Sequence, residues 1–144
     1  MSVAALREAR EAVVRDHMES ENEHRFDDTL DTFDHPRYEL VATGEVYDGA
    51  GPVAEYYRTS REAFPDQRNE NVVLRHADDA VIAEFDLLGT HLGPVHGIEP
   101  TGRPFRSRMC ALFLFDPDSS RIVCERIYFD QLSIMKQLTA DSAT

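Results

Sequence analysis

The second half of the chain alternates, and this pattern limits the possible folds more than any other feature. From Ala80 to His91, Val81, Ala83, Phe85 and Leu87 take turns with Ile82, Glu84, Asp86 and Leu88. That is the period of a strand with one face on a core. Asn69 to His76 reads as a strand before it. Phe105 to Phe115 and Ile122 to Asp130 read as a hairpin around Asp116-Pro117-Asp118-Ser119-Ser120. Turns this short join antiparallel neighbours.

The first half carries helical spacing instead. Val3, Leu6, Ala9/Arg10, Val13, Val14 and His17/Met18 recur at three and four, with Ser2 placed to cap the helix. A second helix is expected over about Glu21 to Phe33, ended by Pro36. Arg37 to Thr43 is strand-like, and Gly44 to Gly51 carries turn chemistry. Pro52 opens a third helix with the face Val53, Tyr56, Tyr57, Ser60 and Phe64, and Pro65 stops it. A short helix, Gln131 to Leu138, closes the chain. Helices early and antiparallel strands late define an α+β fold. We expect a cone-shaped curved antiparallel sheet packed against three helices from the N-terminal half, enclosing a pocket for a small apolar ligand. The 144 residues are expected to form one domain, 1–144, with its core over about 9–138.

With 27 acidic and 15 basic residues the net charge is −12, which argues against nucleic acid and anionic membrane as partners. The N-terminus has no signal-peptide pattern and no run has the length of a membrane span, so the expected location is the cytoplasm. Cys110 and Cys124 read as free thiols. Were Phe115 to oppose Ile122, Cys110 would face Ile127 and Cys124 would face Phe113, which leaves no bridgeable pair.

The end of the last strand concentrates chemistry. In a regular strand Ile122, Cys124, Arg126, Tyr128 and Asp130 share one face, and Val123, Glu125, Ile127 and Phe129 share the other. Asp130 at the mouth of an apolar pocket would have a raised pKa and serve as general base. Asp130 also directly precedes the last helix and suits its N-cap. His91 and His96 lie in a Gly- and Pro-rich loop. They are candidates for acid–base work or for bonding the backbone. Their spacing lacks a third ligand, so no metal is expected. Glu84 with Asp86, and Arg106 with Arg108, suggest cross-strand ion pairs or a lining network. His17 and Tyr47 are placed to rim the pocket. There is no GxGxxG, P-loop, GxSxG, CxxC or HExxH motif.

Three segments carry a family resemblance: AFPDQRNENVVLRHADDAVIAEFDLLGTHLGP, GIEPTGRPF and ERIYFDQLSIMKQL. They share with the SnoaL-like polyketide cyclases the Phe-Pro-Asp end of the third helix and the Gly-Thr-His before the loop. They also share the Pro-Thr-Gly-Arg that opens a strand and the aromatic-Asp before a Gln-Leu helix. This family lies in the nuclear transport factor 2-like superfamily. The resemblance implies a cone-like α+β barrel, commonly a homodimer, and cofactor-independent ring closure by aldol condensation. It implies that Asp130 removes a proton alpha to a carbonyl. Superfamily cousins isomerise ketosteroids or open epoxides with carboxylates in the same cone. Members often carry His-Trp in the last strand, where this chain has Glu125 and Arg126. His91 and Tyr128 are then the candidate acid partners of Asp130. Arg126, Cys124, Glu84, Arg108, His17 and Tyr47 are the candidate substrate contacts. An epoxide-opening trio of Asp130, Arg126 and Glu84 requires all three to face inward. A ligand-binding module without chemistry is the remaining alternative.

Overall fold

A computed structural model describes residues 1–140. Helix α1 (Val3–Asn22) starts at Ser2, whose hydroxyl accepts a hydrogen bond from Ala5 N at 3.1 Å. It runs a turn beyond the expected end, and α2 (Phe26–Asp31) is correspondingly short. Strands β1 (Arg37–Leu40) and β2 (Glu45–Asp48) form a hairpin where the sequence suggested a strand and a turn. Helix α3 (Ala50–Ala63) holds Pro52 in its first turn. Then come β3 (Arg68–Ala77), β4 (Ala80–Thr90), β5 (Pro104–Phe115), β6 (Ile122–Tyr128) and α4 (Gln131–Thr139). The α+β architecture is the expected one.

The six strands form one curved sheet in the order β2-β1-β6-β5-β4-β3. All neighbours are antiparallel except β1 and β6. The inner face carries Val81, Ala83, Phe85, Phe105, Met109, Ala111 and Phe113, all buried against α1, α3 and α4. No helix among the described residues is long and apolar enough to cross a membrane.

Two details fix how the cone closes. Arg10 is buried although charged. Its guanidinium donates to the carbonyls of Ser119 (2.8 Å), Asp78 (3.0 Å) and Asp116 (3.0 Å) and lies 4.8 Å from the Phe115 ring centroid. One side chain thus fastens α1 to two hairpin turns by donating to three of their carbonyls. At the other end, the amides of Leu92 and Gly93 donate to Ala63 O at 3.0 and 3.1 Å. A Cβ on Gly93 would stand 2.1 Å from Glu62 O, so only glycine lets the loop meet the end of α3.

The hairpin register corrects the expected pairing. Phe115 does oppose Ile122, but Leu114 opposes Cys124 and Cys110 opposes Tyr128. Val123 is the extra residue of a β-bulge, and everything after it is shifted by one. Both cysteines are free, as expected, and they are not cross-strand partners.

Candidate functional site

The bulge decides what β6 offers to the interior. Ile122 is fully buried, and beyond the bulge Glu125 and Ile127 point inward. Glu125 and Ile127, with Phe129 beyond the strand, line a cavity of about 330 Å³ in the cone. Met18, Phe85, Phe105, Met109 and Leu138 supply much of its apolar wall, and Glu21, Glu45, Tyr47, Tyr56, Gln67 and His96 are among its polar members.

At the inner end, α1, β1 and β6 bring four ionisable groups together. His17 is fully buried, and its Nε2 lies 2.8 Å from Glu21 Oε1, 3.0 Å from Glu125 Oε1 and 3.0 Å from Tyr38 Oη. His17 and Glu21 meet because they are one helical turn apart. Tyr38 and Glu125 meet because they are paired positions of β1 and β6. Tyr38 Oη is 2.6 Å from Tyr57 Oη. On the far side of the imidazole, Nδ1 is 2.9 Å from Thr32 Oγ1, whose own proton goes to Thr29 O at 2.6 Å. Nδ1 is therefore the donor to Thr32, and Nε2 turns towards the carboxylates.

Burial and charge set the protonation of this group. Burial opposes a cation at His17, but the carboxylates of Glu21 and Glu125 outweigh it and raise the imidazole to about 9. Burial also penalises the Glu125 carboxylate, Glu21 adds repulsion, and its pKa rises to about 7 despite His17. Glu21 goes the other way. Burial alone would raise it, but His17 and Arg61 together hold it low, with Arg61 Nη2 3.4 Å from its Oε2. One carboxylate thus stays ionised while its neighbour exchanges a proton near neutrality, the pattern of an acid–base site. His17, Glu21 and Glu125 are also the three side chains among the described residues whose donor atoms come within 4.8 Å of one another, as a metal site requires. Their separations are hydrogen-bond lengths, and a shared proton accounts for them.

The polar face expected for the pocket is instead the outer face of the sheet. Arg126 Nε donates to Glu39 Oε1 at 2.6 Å there. Cys124 is buried on that face, and burial pushes its thiol up to about 11. Tyr128 is exposed. Asp130 is exposed and accepts from Ser133 N at 3.0 Å, so it caps α4 and does not line the cavity. Glu84 pairs with Arg75 on the outside, and Arg108 reaches Asp86 at 3.4 Å and Asn71 O at 3.1 Å. The trio of Asp130, Arg126 and Glu84 is not assembled, because Glu84 faces outward. His91 is buried, but its Nδ1 accepts from Thr101 N at 3.2 Å and does not reach the cavity. Its role is to hold the loop together. Of the candidate site residues named from sequence, Tyr47 and His96 line the cavity and His17 stands behind its inner wall.

Glu21, Tyr38 and Glu125 were not singled out. Two signals pointed to them. Glu125 is the one charge between Val123, Ile127 and Phe129, and Glu21 sits four residues after His17.

A curved sheet wrapped on three helices, with carboxylates inside an apolar cone, defines the nuclear transport factor 2-like class. Solved structures agree. A candidate polyketide cyclase from Xanthomonas campestris superposes with a TM-score of 0.84 at 17% identity, covering 93% of this chain and 99% of that one. IdmH, a candidate polyketide cyclase from Streptomyces antibioticus, gives 0.74 at 21% identity over 90% and 97%. A phenazine biosynthesis-related protein from Pseudomonas aeruginosa gives 0.76 at 18% over 98% and 92%. No curated protein matches by sequence. The sequence pattern of the SnoaL-like polyketide cyclases matches residues 11–138, and the chain belongs to that family.

Proposed function

We propose that this protein is a cofactor-independent acid–base catalyst for a small, largely apolar carbonyl compound, with Glu125 as the base. The observation that carries the reading is a buried carboxylate hydrogen-bonded to His17 at the wall of an apolar cavity. A carboxylate with a pKa near 7 is a stronger base than an ordinary one and remains ionised in part at neutral pH. It would remove a proton alpha to the ligand carbonyl and become a neutral carboxylic acid. The Tyr56 hydroxyl and the Gln67 amide, both lining the cavity, are the available donors for the enolate oxygen. The His17 cation stabilises ionised Glu125 before the transfer, and Thr32 holds its ring. The carboxylic acid then returns the proton at carbon, as in an isomerisation, or the enolate attacks a second carbonyl, as in ring closure, and the alkoxide so formed takes the proton from Glu125.

The same proposal places the homodimer on the outer face of the sheet, where Val46, Val73 and Tyr128 are exposed. Mass measurement in solution tests that part.

The chemical part is tested with 2-tetralone in deuterated buffer, following exchange at its alpha carbon by NMR. The wild-type protein should accelerate exchange over buffer, and Glu125→Gln should reduce that acceleration by about 10²- to 10⁴-fold. Equal exchange by wild type and Glu125→Gln would remove the role of Glu125. Tight binding without exchange would favour a ligand-binding module.

A further inference from the structure

The cavity has a second polar pole, and its charge bears on what can enter. Glu21, Glu45 and Glu125 line the cavity, and among the described residues no Arg or Lys does. The inner two carboxylates are answered by His17 and Arg61. Glu45 is not. No Arg or Lys forms an ion pair with it among the described residues, and its Oε2 accepts a hydrogen bond of 2.5 Å from the Tyr47 hydroxyl. That bond lowers the Glu45 pKa by more than its partial burial raises it, so the group is ionised at neutral pH.

The sheet register locates this pole. Glu45 opposes Leu40, which pairs with Ile127. Two residues along, Tyr47 opposes Tyr38, which pairs with Glu125. With strands ~4.8 Å apart and ~3.4 Å per residue, the Cα atoms of Glu45 and Glu125 are about 12 Å apart on one face. The apolar wall between them is the length of a fused-ring compound.

We propose that Glu45, held by Tyr47, is a recognition site for a protonated amine carried by an apolar ring ligand, at the pole opposite the His17–Glu125 pair. The inference rests on the acid–base reading for its orientation, with the carbonyl end of the ligand at Glu125 and the amine end at Glu45. An ionised carboxylate is an acceptor only and takes N–H donors. With the inner two carboxylates answered by His17 and Arg61 and no Arg or Lys among the described residues lining the cavity, ionised Glu45 makes its own pole favour cations over anions. The same arrangement disfavours carboxylate, phosphate and thioester-carrier ligands whose charge would enter the cone.

The test uses three matched bicyclic probes, with binding measured by calorimetry at pH 7.5: 2-aminotetralin (cation), 2-tetralol (neutral) and tetralin-2-carboxylate (anion). The wild type should bind the amine about tenfold more tightly than the alcohol and more tightly still than the acid, and Glu45→Gln should erase the advantage of the amine over the alcohol. On wild type alone, raising the salt concentration should shrink that advantage, which keeps the test usable if Glu45→Gln does not fold. Equal or tighter binding of the acid, no measurable binding of the amine, or an amine preference unmoved by both the substitution and salt would overturn the proposal. Failure of the acid–base reading registers separately, as absent exchange of 2-tetralone by the wild type.

Discussion

His17 Nε2 lies 3.0 Å from Glu125 Oε1, joining a helix near the start of the chain to a strand near its end. Neither group would be stable in this protonation alone. An unpaired buried imidazolium and an unpaired buried carboxylate both shed their charge. Together they hold one proton between them, at the wall of an apolar chamber. This coupling generates the predictions about pH.

Exchange of an enolisable ketone should depend on pH through Glu125. The base must be ionised, so the rate at low substrate should rise with pH and level off above about 7. Imidazolium at His17 persists to about 9, so the plateau should hold until then. His17→Gln should move the rising limb upward, because the cation favouring ionised Glu125 is gone. A pH–rate profile on the two proteins checks this. An unchanged limb would mean that the titrating group is elsewhere.

Stability should fall as pH rises. Both groups have folded pKa values above their ordinary ones: Glu125 moves from 4.5 to about 7, and His17 from 6.5 to about 9. Between each pair of values the folded chain holds more protons than the unfolded one. The associated stabilisation is complete below the lower value and is lost as pH climbs through the upper one. The slope approaches about 1.4 kcal/mol per pH unit for each proton held. Denaturant melts from pH 5 to 9 should show this decline, and His17→Gln should make it shallower between about pH 6.5 and 7, where both groups hold a proton in the wild type.

Asp130→Ala should cost about 1 kcal/mol by removing the α4 cap, with Asp130→Asn close to neutral because asparagine caps equally well. Neither substitution should change ketone exchange by more than about twofold, a statement about a residue outside the cavity. Thermal melts and exchange rates on both variants settle the division of labour between Asp130 and Glu125.

Arg10→Met should destabilise by about 3 kcal/mol despite keeping the apolar stem, since three carbonyls lose their donors together. Chemical denaturation gives the number. A loss under about 0.5 kcal/mol would show that water replaces the guanidinium at both turns.

Most of the fold was legible because its signals are periodic. Alternation in β4 and β5, helical spacing in α1 and α3, and caps at Ser2 and Asp130 all act locally. The inner face of β6 was not legible. Ile122 and Cys124 on one phase are as apolar as Ile127 and Phe129 on the other, so hydrophobicity could not choose between them. The choice is made by the bulge, which depends on pairing with β5. The site suffered the same way. His17 was named, but its partner Glu125 stood only as one member of the face shared with Val123, Ile127 and Phe129. A buried carboxylate is recognisable only when its counter-charge is located, and here that lies on another element. Asp130, in contrast, had both a capping position and a family motif. The structure shows the capping contact directly.

The extra residue at Val123 makes β6 a strand with two readable frames. With it, the core receives Ile122 opposite Phe115 while the chamber receives Glu125 and Ile127, opposite Phe113 and Ala111; without the bulge, a strand of the same length held at Ile122 would turn Cys124, Arg126 and Tyr128 inward. Loss of Val123 alone would keep both phases, because Ile122 and Cys124 would then pair consecutively with Phe115 and Leu114. A fold with such a site can change the chemistry of its chamber by register as well as by substitution.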